Sequence, residues 1–369
     1  MKRTLMFLGI MGLVLGFGAS ALAIGLCSYV SPETSLQSLG LSMSYHYFDD
    51  WATPGVEASV GLAGLDYNLL YDSPDFGYTV AATAELLLAD FAPVSGLANA
   101  AATYRYYFTQ DAPAFGFGGI EASMASGQPQ AGIYINAGLG YGRFSDVTPL
   151  AKAVKIEKEL LKVDAIPGPL GDSALMDIAQ IIGSGEYATT DEQIAAVVNQ
   201  VQVASGVTLD PRQVLTIEDQ VLATGDVRHC GWAVQAGVGY QLIDPYSQPS
   251  AFLVTASADA AFAPNPDGQV LFHAGLSGPL NILAQNTLRL RASYSSVLSE
   301  TTLLRASYTV LRVQPLAQPV STSQTAALLL GLDIGSTTTL GLQASLSKPA
   351  GATAWSLDVS VSAAVTFDY

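Results

Sequence analysis

From residue 39 to the end, most of the chain follows a two-residue rhythm of apolar and polar positions. The final stretch shows it plainly. Trp355, Leu357, Val359, Val361, Ala363, Val365, Phe367 and Tyr369 fall on one parity, and Ser356, Asp358, Ser360, Ser362, Ala364, Thr366 and Asp368 on the other. Successive side chains of a strand point to opposite faces, so this is a strand with one apolar face and one small, polar face. The same pattern predicts strands at 39–47, 56–71, 78–90, 98–109, 115–126 and 133–142, and again at 232–242, 252–262, 269–277, 288–295, 304–310, 328–334 and 340–346. A change of phase near Ala63 and Gly64 predicts a bulge in the second strand. With the last strand the count is about fourteen, an even number joined for the most part by short connections.

The rhythm stops between 146 and 228. Leu150, Val154 and Leu161 recur there at helical spacing behind Thr148-Pro149, an N-cap followed by a first-turn proline. Lys152, Lys155, Lys158 and Lys162 form a basic face, which is either a solvated surface or a contact with the acidic remainder of the chain or an acidic partner. Further helices are predicted over 173–182, after Thr190-Asp191-Glu192-Gln193 with its capping-box spacing, and after Asp210-Pro211 with Gln213 three residues beyond the cap. The chain therefore divides into a leader (1–23), a first block of strands (24–145), a helical insert (146–228) and a second block of strands (229–369). The insert is too long for an ordinary loop and must fold, either on the periplasmic side of the strands or tucked between them.

Composition changes the meaning of the strands. Half of the 369 residues are hydrophobic and only 12% are charged, against about 25% charged in soluble domains. Outside the leader and the insert only seven basic residues remain, Arg105, Arg143, Arg289, Arg291, Arg305, Arg312 and Lys348. A soluble sheet would carry Lys and Glu on its outward parity, and here that parity carries Leu, Val, Ala, Tyr and Phe. After the leader no apolar run is long enough for a spanning helix, which leaves the closed barrel as the spanning structure. The expected fold is thus all-β, a transmembrane antiparallel up-and-down barrel of about fourteen strands with an inserted α-helical subdomain. Lys2 and Arg3, the apolar stretch that follows and Ala21-Leu22-Ala23 read as a cleavable secretory signal. The net charge of −16 argues against nucleic acid and anionic lipid headgroups as partners. In an exported chain Cys27 and Cys230 are candidates for a disulfide, although sequence alone does not bring them together.

On the polar parity stand Arg105, Arg289, Arg291, Arg305, Glu85, Glu121, Asp259, Asp333 and Asp358. Charges inside a barrel must pair or face water, so these residues either knit the interior together or line a water-filled passage. No metal, cofactor or catalytic residue is expected. His46, His229 and His273 come from separate strands, and Ser44 with His46 is the nearest approach to a hydrolase pair.

The leader, the repeated strands and the terminal Val365-Thr366-Phe367-Asp368-Tyr369 together resemble bacterial outer-membrane β-barrel proteins. The resemblance implies residence in the outer membrane, contact with its lipid, and recognition of Phe367 and Tyr369 by the barrel assembly machinery. It matches no particular porin or transporter group. Two functions fit: a passive, porin-like channel for small hydrophilic solutes, or a non-conducting barrel whose helical insert binds a periplasmic or surface component. Deleting Phe367 to Tyr369 is expected to leave the protein in the periplasm, as measured by cell fractionation; normal insertion of the truncated chain would contradict the assembly role.

Overall fold

The computed structural model describes residues 24–365 apart from 32, 49–57, 110–112, 185, 188, 224–226, 248, 300, 317 and 335–337. The leader 1–23 and the terminal Phe367 and Tyr369 lie outside the described residues. Fourteen strands are described: β1 (Thr34–Phe48), β2 (Ala58–Asp72), β3 (Phe76–Ala89), β4 (Ala92–Tyr107), β5 (Ala114–Ala125), β6 (Gly132–Asp146), β7 (His229–Ile243), β8 (Phe252–Asn265), β9 (Gly268–Pro279), β10 (Asn286–Ser299), β11 (Thr302–Gln314), β12 (Ser321–Ile334), β13 (Thr338–Lys348) and β14 (Ser356–Val365). They form one antiparallel sheet in which each strand pairs with its neighbours in sequence. Among the described residues no ladder joins β14 to β1, so the sheet is open there and the expected closing pair is not formed.

The bulge expected at Ala63 and Gly64 is absent, because the β1–β2 ladder runs unshifted from Thr34 opposite Asp72 to Phe48 opposite Ala58. The phase change has another cause. Val60 and Leu62 stand on the same parity as Asp66 and Asn68, and Leu62 faces Leu87 of β3 across the ladder. The irregularities lie near strand ends instead, at Leu87/Leu88, Ile133/Tyr134, Phe262/Asn265 and Val297/Ser299.

Residues directly opposite in an antiparallel ladder share a face. One such row runs Asp72, Gly77, Arg105, Phe117, Gly138, Gly237, Thr255, Ser277 across β2 to β9. A second runs Ala233, Asp259, His273, Arg291, Thr309, Thr325 across β7 to β12. These rows define the inner face. The other face keeps its large apolar side chains in the open, with Leu139 and Leu357 each 66% exposed and Val238 57%. Some polar side chains of the inner face are buried, Asp72 at 3%, Gln269 at 5% and Arg105 at 6%.

Aromatic rings mark the two ends of the outer face. At the edge where β1 begins, Tyr71 stacks on Tyr78 (5.2 Å between centroids), Phe76 on Tyr104 (6.0 Å), and Tyr141 lies 5.7 Å from Trp232. At the opposite edge Tyr240 meets Phe252 at 4.9 Å. Between Trp232 and Tyr240 the same parity carries only Val234, Ala236 and Val238, over a strand length of roughly 26 Å at about 3.3 Å per residue.

The inner face makes room for rings by leaving out side chains. Phe115 is fully buried and Phe117 nearly so, and each lies across the neighbouring strand: a Cβ on Gly140 would sit 2.3 Å from Phe115 Cζ, and one on Gly138 would sit 2.7 Å from Phe117 Cε1. This explains glycines that strand propensity disfavours.

Between β6 and β7 lie four helices, α1 (Thr148–Lys162), α2 (Asp172–Gly183), α3 (Thr190–Ser205) and α4 (Pro211–Leu222). They enclose a core in which Leu150, Ile156, Leu160, Ile178, Val197 and Ile217 are fully buried, and which Leu26 and Tyr29 of the segment before β1 and Ala263 of β8 also join. Asp210 and Gln213 cap α4 reciprocally, as the spacing predicts: Asp210 Oδ1 accepts from the Gln213 amide at 3.0 Å and Gln213 Oε1 from the Asp210 amide at 2.8 Å. The cap of α3 is Thr189 rather than Thr190, with its hydroxyl accepting from the Glu192 amide at 3.2 Å. Thr148 does not cap α1. Its hydroxyl accepts from the Arg228 amide at 2.9 Å, while the Val147 amide donates to the Arg228 carbonyl at 2.8 Å, so Thr148 ties the two ends of the insert together.

Gly140→Ala is expected to lower stability by about 1–3 kcal/mol, the usual cost of overpacking, in thermal or urea unfolding of detergent-folded protein. Adding Phe115→Leu is expected to recover part of the loss; a purely additive pair would show that the ring and the glycine are not coupled.

Candidate functional site

Of the nine charged residues singled out in the sequence, register puts the eight whose side chains are described, all but Asp333, on the inner face of the sheet, but it does not gather them. Arg105, Asp259 and Arg291 line one cavity of about 540 Å3, shared with His229, Gln235, His273 and Ser293. Because its walls come from β2–β4 on one side and β6–β10 on the other, the inner face must curl over itself near the insert. Glu121 lies in a second, smaller cavity of about 230 Å3 with Asn99, Ser123, Tyr134 and Gln241, and accepts a hydrogen bond from Asn136 Nδ2 at 3.3 Å. Glu85, Arg289, Arg305 and Asp358 lie elsewhere, opposite Gly64, Gly275, Ser295 and Ser345. The backbone of Asp333 faces Thr339, and its side chain is outside those described.

In the larger cavity His273 Nδ1 lies 2.6 Å from Asp259 Oδ1, and Arg291 is the ladder partner of His273. Two of the three histidines therefore share a site that spacing along the chain did not reveal, since His229 opens β7 and His273 sits within β9. The backbones of Ser44 and His46 lie opposite Leu62 and Val60, and their side chains are outside those described. Among the described residues no group of three His, Cys, Asp or Glu side chains could hold a metal ion.

Around Arg105 the structure places residues that sequence reading passed over. Asp72, one residue beyond the strand predicted at 56–71, is the buried last residue of β2, and Tyr107 Oη donates to its Oδ2 at 3.0 Å. The Arg143 guanidinium lies 4.0 Å over the Tyr107 ring and donates to the Pro74 carbonyl at 2.8 Å. The Phe115 ring stands 5.8 Å from the Arg105 guanidinium carbon. The missed signal is aromatic: Tyr107, Phe115 and Phe117 flank a turn on one parity, as a ring cluster over charge requires.

The insert is fastened to the same end of the sheet. Cys27, on the segment preceding β1, forms a disulfide with Cys230 of β7, with Cα atoms 5.3 Å apart. Tyr29 Oη donates to the Ala179 carbonyl of α2 at 3.2 Å. Of the basic face of α1, Lys155 and Lys158 reach Asp267 in the β8–β9 turn at 3.2 and 3.9 Å. Arg228 Nε donates to the Pro266 carbonyl of that turn at 2.9 Å. Lys152 Nζ donates to the Val221 carbonyl at 2.6 Å, and burial lowers its pKa below the ordinary lysine value. Lys152 and Lys155 are thus engaged within the chain, while Lys158 and Lys162 keep 70% and 64% of their side chains exposed. Gln269 completes the joint, its Oε1 accepting from the His229 amide at 2.7 Å and its Nε2 donating to the His229 carbonyl at 3.0 Å.

No protein-family model and no curated protein matches the chain. Among solved structures it is similar to the translocator domain of the autotransporter NalP from Neisseria meningitidis, at 10% identity and a TM-score of 0.23, over 99% of this chain and 98% of that one.

Glu157 joins the insert's own loops, its Oε1 accepting from the Leu170 amide at 2.5 Å, and burial raises its pKa above 4.5 against the lowering effect of that bond. The folded insert thus holds a proton here that the unfolded chain has released, so this contribution to stability is present at low pH and is lost as pH rises through the window above 4.5. Glu157→Gln, which keeps the acceptor, is expected to flatten that dependence in denaturation followed by helical circular dichroism; an unchanged pH slope would remove Glu157 from the account.

Proposed function

We propose that the chain is an outer-membrane β-barrel whose sheet closes through β1 and β14 in the bilayer, and whose polar inner face lines a passage for small hydrophilic solutes. The observation that carries this reading is the inversion of the faces. Leu139, Val238 and Leu357 are exposed on the outside while Asp72, Arg105 and Gln269 are buried on the inside. Apolar surface of that extent marks contact with an apolar phase. The rows of rings at both ends of an aliphatic band match the interfacial girdles of membrane barrels. Two unpaired sheet edges in hydrocarbon would leave backbone groups unsatisfied, which is the physical reason for closure.

The connections support a direction. At the edge carrying the insert, β8 passes to β9 between Asn265 and Gly268, β10 to β11 between Ser299 and Thr302, and β12 to β13 between Ile334 and Thr338. At the other edge β1 leads to β2 between Phe48 and Ala58, and β7 to β8 between Ile243 and Phe252. Short turns face the periplasm in such barrels and longer loops face outward. The insert, the start of β1 and the end of β14 share the short-turn edge, and a disulfide suits that oxidising compartment. In this reading the insert covers the periplasmic mouth, the partners are outer-membrane lipid and the assembly machinery, and the protein carries out no catalysis.

One observation favours a second reading, a non-conducting barrel that presents its insert to a periplasmic partner: the rings of Tyr107, Phe115 and Phe117 fill the inner face beside the insert. Planar bilayers separate the two. The purified chain is expected to show stepwise conductance that grows when 147–227 is deleted; a silent bilayer with both proteins would end the passage reading in favour of docking.

A further inference from the structure

The 540 Å3 cavity is lined by a guanidinium that its own chain meets through the charge of Asp72 and the ring of Phe115 but leaves without hydrogen bonds along one edge. Arg105 is only 6% exposed, yet its Nε and Nη2 have no hydrogen-bond partner in the protein. Those two nitrogens form one edge of the guanidinium, the side-on pair of parallel N–H donors that matches two oxygens of a carboxylate or phosphate. An unsatisfied buried charged group is costly, so such an edge is open to an acceptor from outside the chain.

The surroundings select the sign of that acceptor. Phe115 holds the guanidinium from one side. Asp72, the neighbouring carboxylate, accepts from Tyr107 Oη through Oδ2; its buried Oδ1 has no hydrogen-bond partner, and its charge is attracted to Arg105 without a hydrogen bond between the two. Asp259, the carboxylate among the residues lining the cavity, is engaged by His273. Arg291, which is exposed, supplies a second guanidinium from a different part of the sheet.

We propose that this cavity binds a small oxyanion, a carboxylate or a phosphate, side-on to Arg105 and within reach of Arg291. The inference deepens the passage reading by naming a solute class, but binding does not require conduction, and the two are measured separately. The full chain, folded in detergent, is titrated calorimetrically with inorganic phosphate, with succinate, and with glycerol as a neutral control. Binding of either anion without binding of glycerol is the expected result; tighter phosphate assigns a phosphate-type ligand, and tighter succinate a carboxylate. Arg105→Gln is expected to weaken binding about tenfold or more, and Arg105→Lys, which keeps the charge but not the paired donors, to recover part of it. Should Arg105→Gln fail to fold, Arg291→Gln, at an exposed position, carries the same comparison. Failure of both anions to bind the folded wild-type chain, or unchanged affinity in the folded arginine variants, would overturn the proposal. Conductance without anion binding would end this inference and leave the passage reading standing; anion binding by a silent barrel would do the reverse.

Discussion

A sheet of fourteen strands satisfies nearly all its backbone groups through its own ladders, and it is left with two unpaired edges and two faces. In this chain the faces are assigned against the usual order, with Leu, Val and aromatic rings outside and Arg, Asp, His, Ser and Gly inside. Every later feature depends on that choice. It sets where the rings sit, why the inner positions are small, and why most of the charged side chains share one face, with Arg312 and Lys348 on the other near strand ends. In water the outer surface would be a liability for association; beside hydrocarbon it is a requirement.

The period of two made the strands legible, because side chains that alternate in this way fourteen times over suit a sheet with two unlike faces and little else, and it put the eight charged residues whose side chains are described, all of the nine but Asp333, on one face. It misled where alternation and packing part company. Val60 and Leu62 break phase without a bulge, since the inner face tolerates a small apolar patch against Leu87. In the insert, Asp210 with Gln213 could be read from spacing because a capping box is local. Thr148 could not, since its hydroxyl answers Arg228, eighty residues away in the chain. The candidate site was legible as a face and illegible as a place. Which of the inner charges meet depends on how the sheet curls, and nothing in the local pattern of β4, β9 and β10 records that Arg105, His273 and Arg291 line one cavity.

The inner face also shows how a sheet uses absence. Gly138 and Gly140 contribute no side chain, and Phe117 and Phe115 occupy the space over them. Rings from β5 thereby lock β6 across the ladder by shape, in addition to backbone hydrogen bonds, beside the strands where the insert departs and returns. The rings are thus concentrated where Arg105 is held, while the opposite end of the inner face carries the smaller cavity of Glu121 and its neighbours.

The bond between Cys27 and Cys230 joins the segment before the first strand to the beginning of the seventh. Once it closes, β1 to β6 and the four helices belong to a covalent ring, and only β7 to β14 remain a chain with a free end. The ring restricts how far the unfolded chain can spread between its first and seventh strands, so an oxidised precursor has less conformational freedom to lose on entering the sheet than a reduced one.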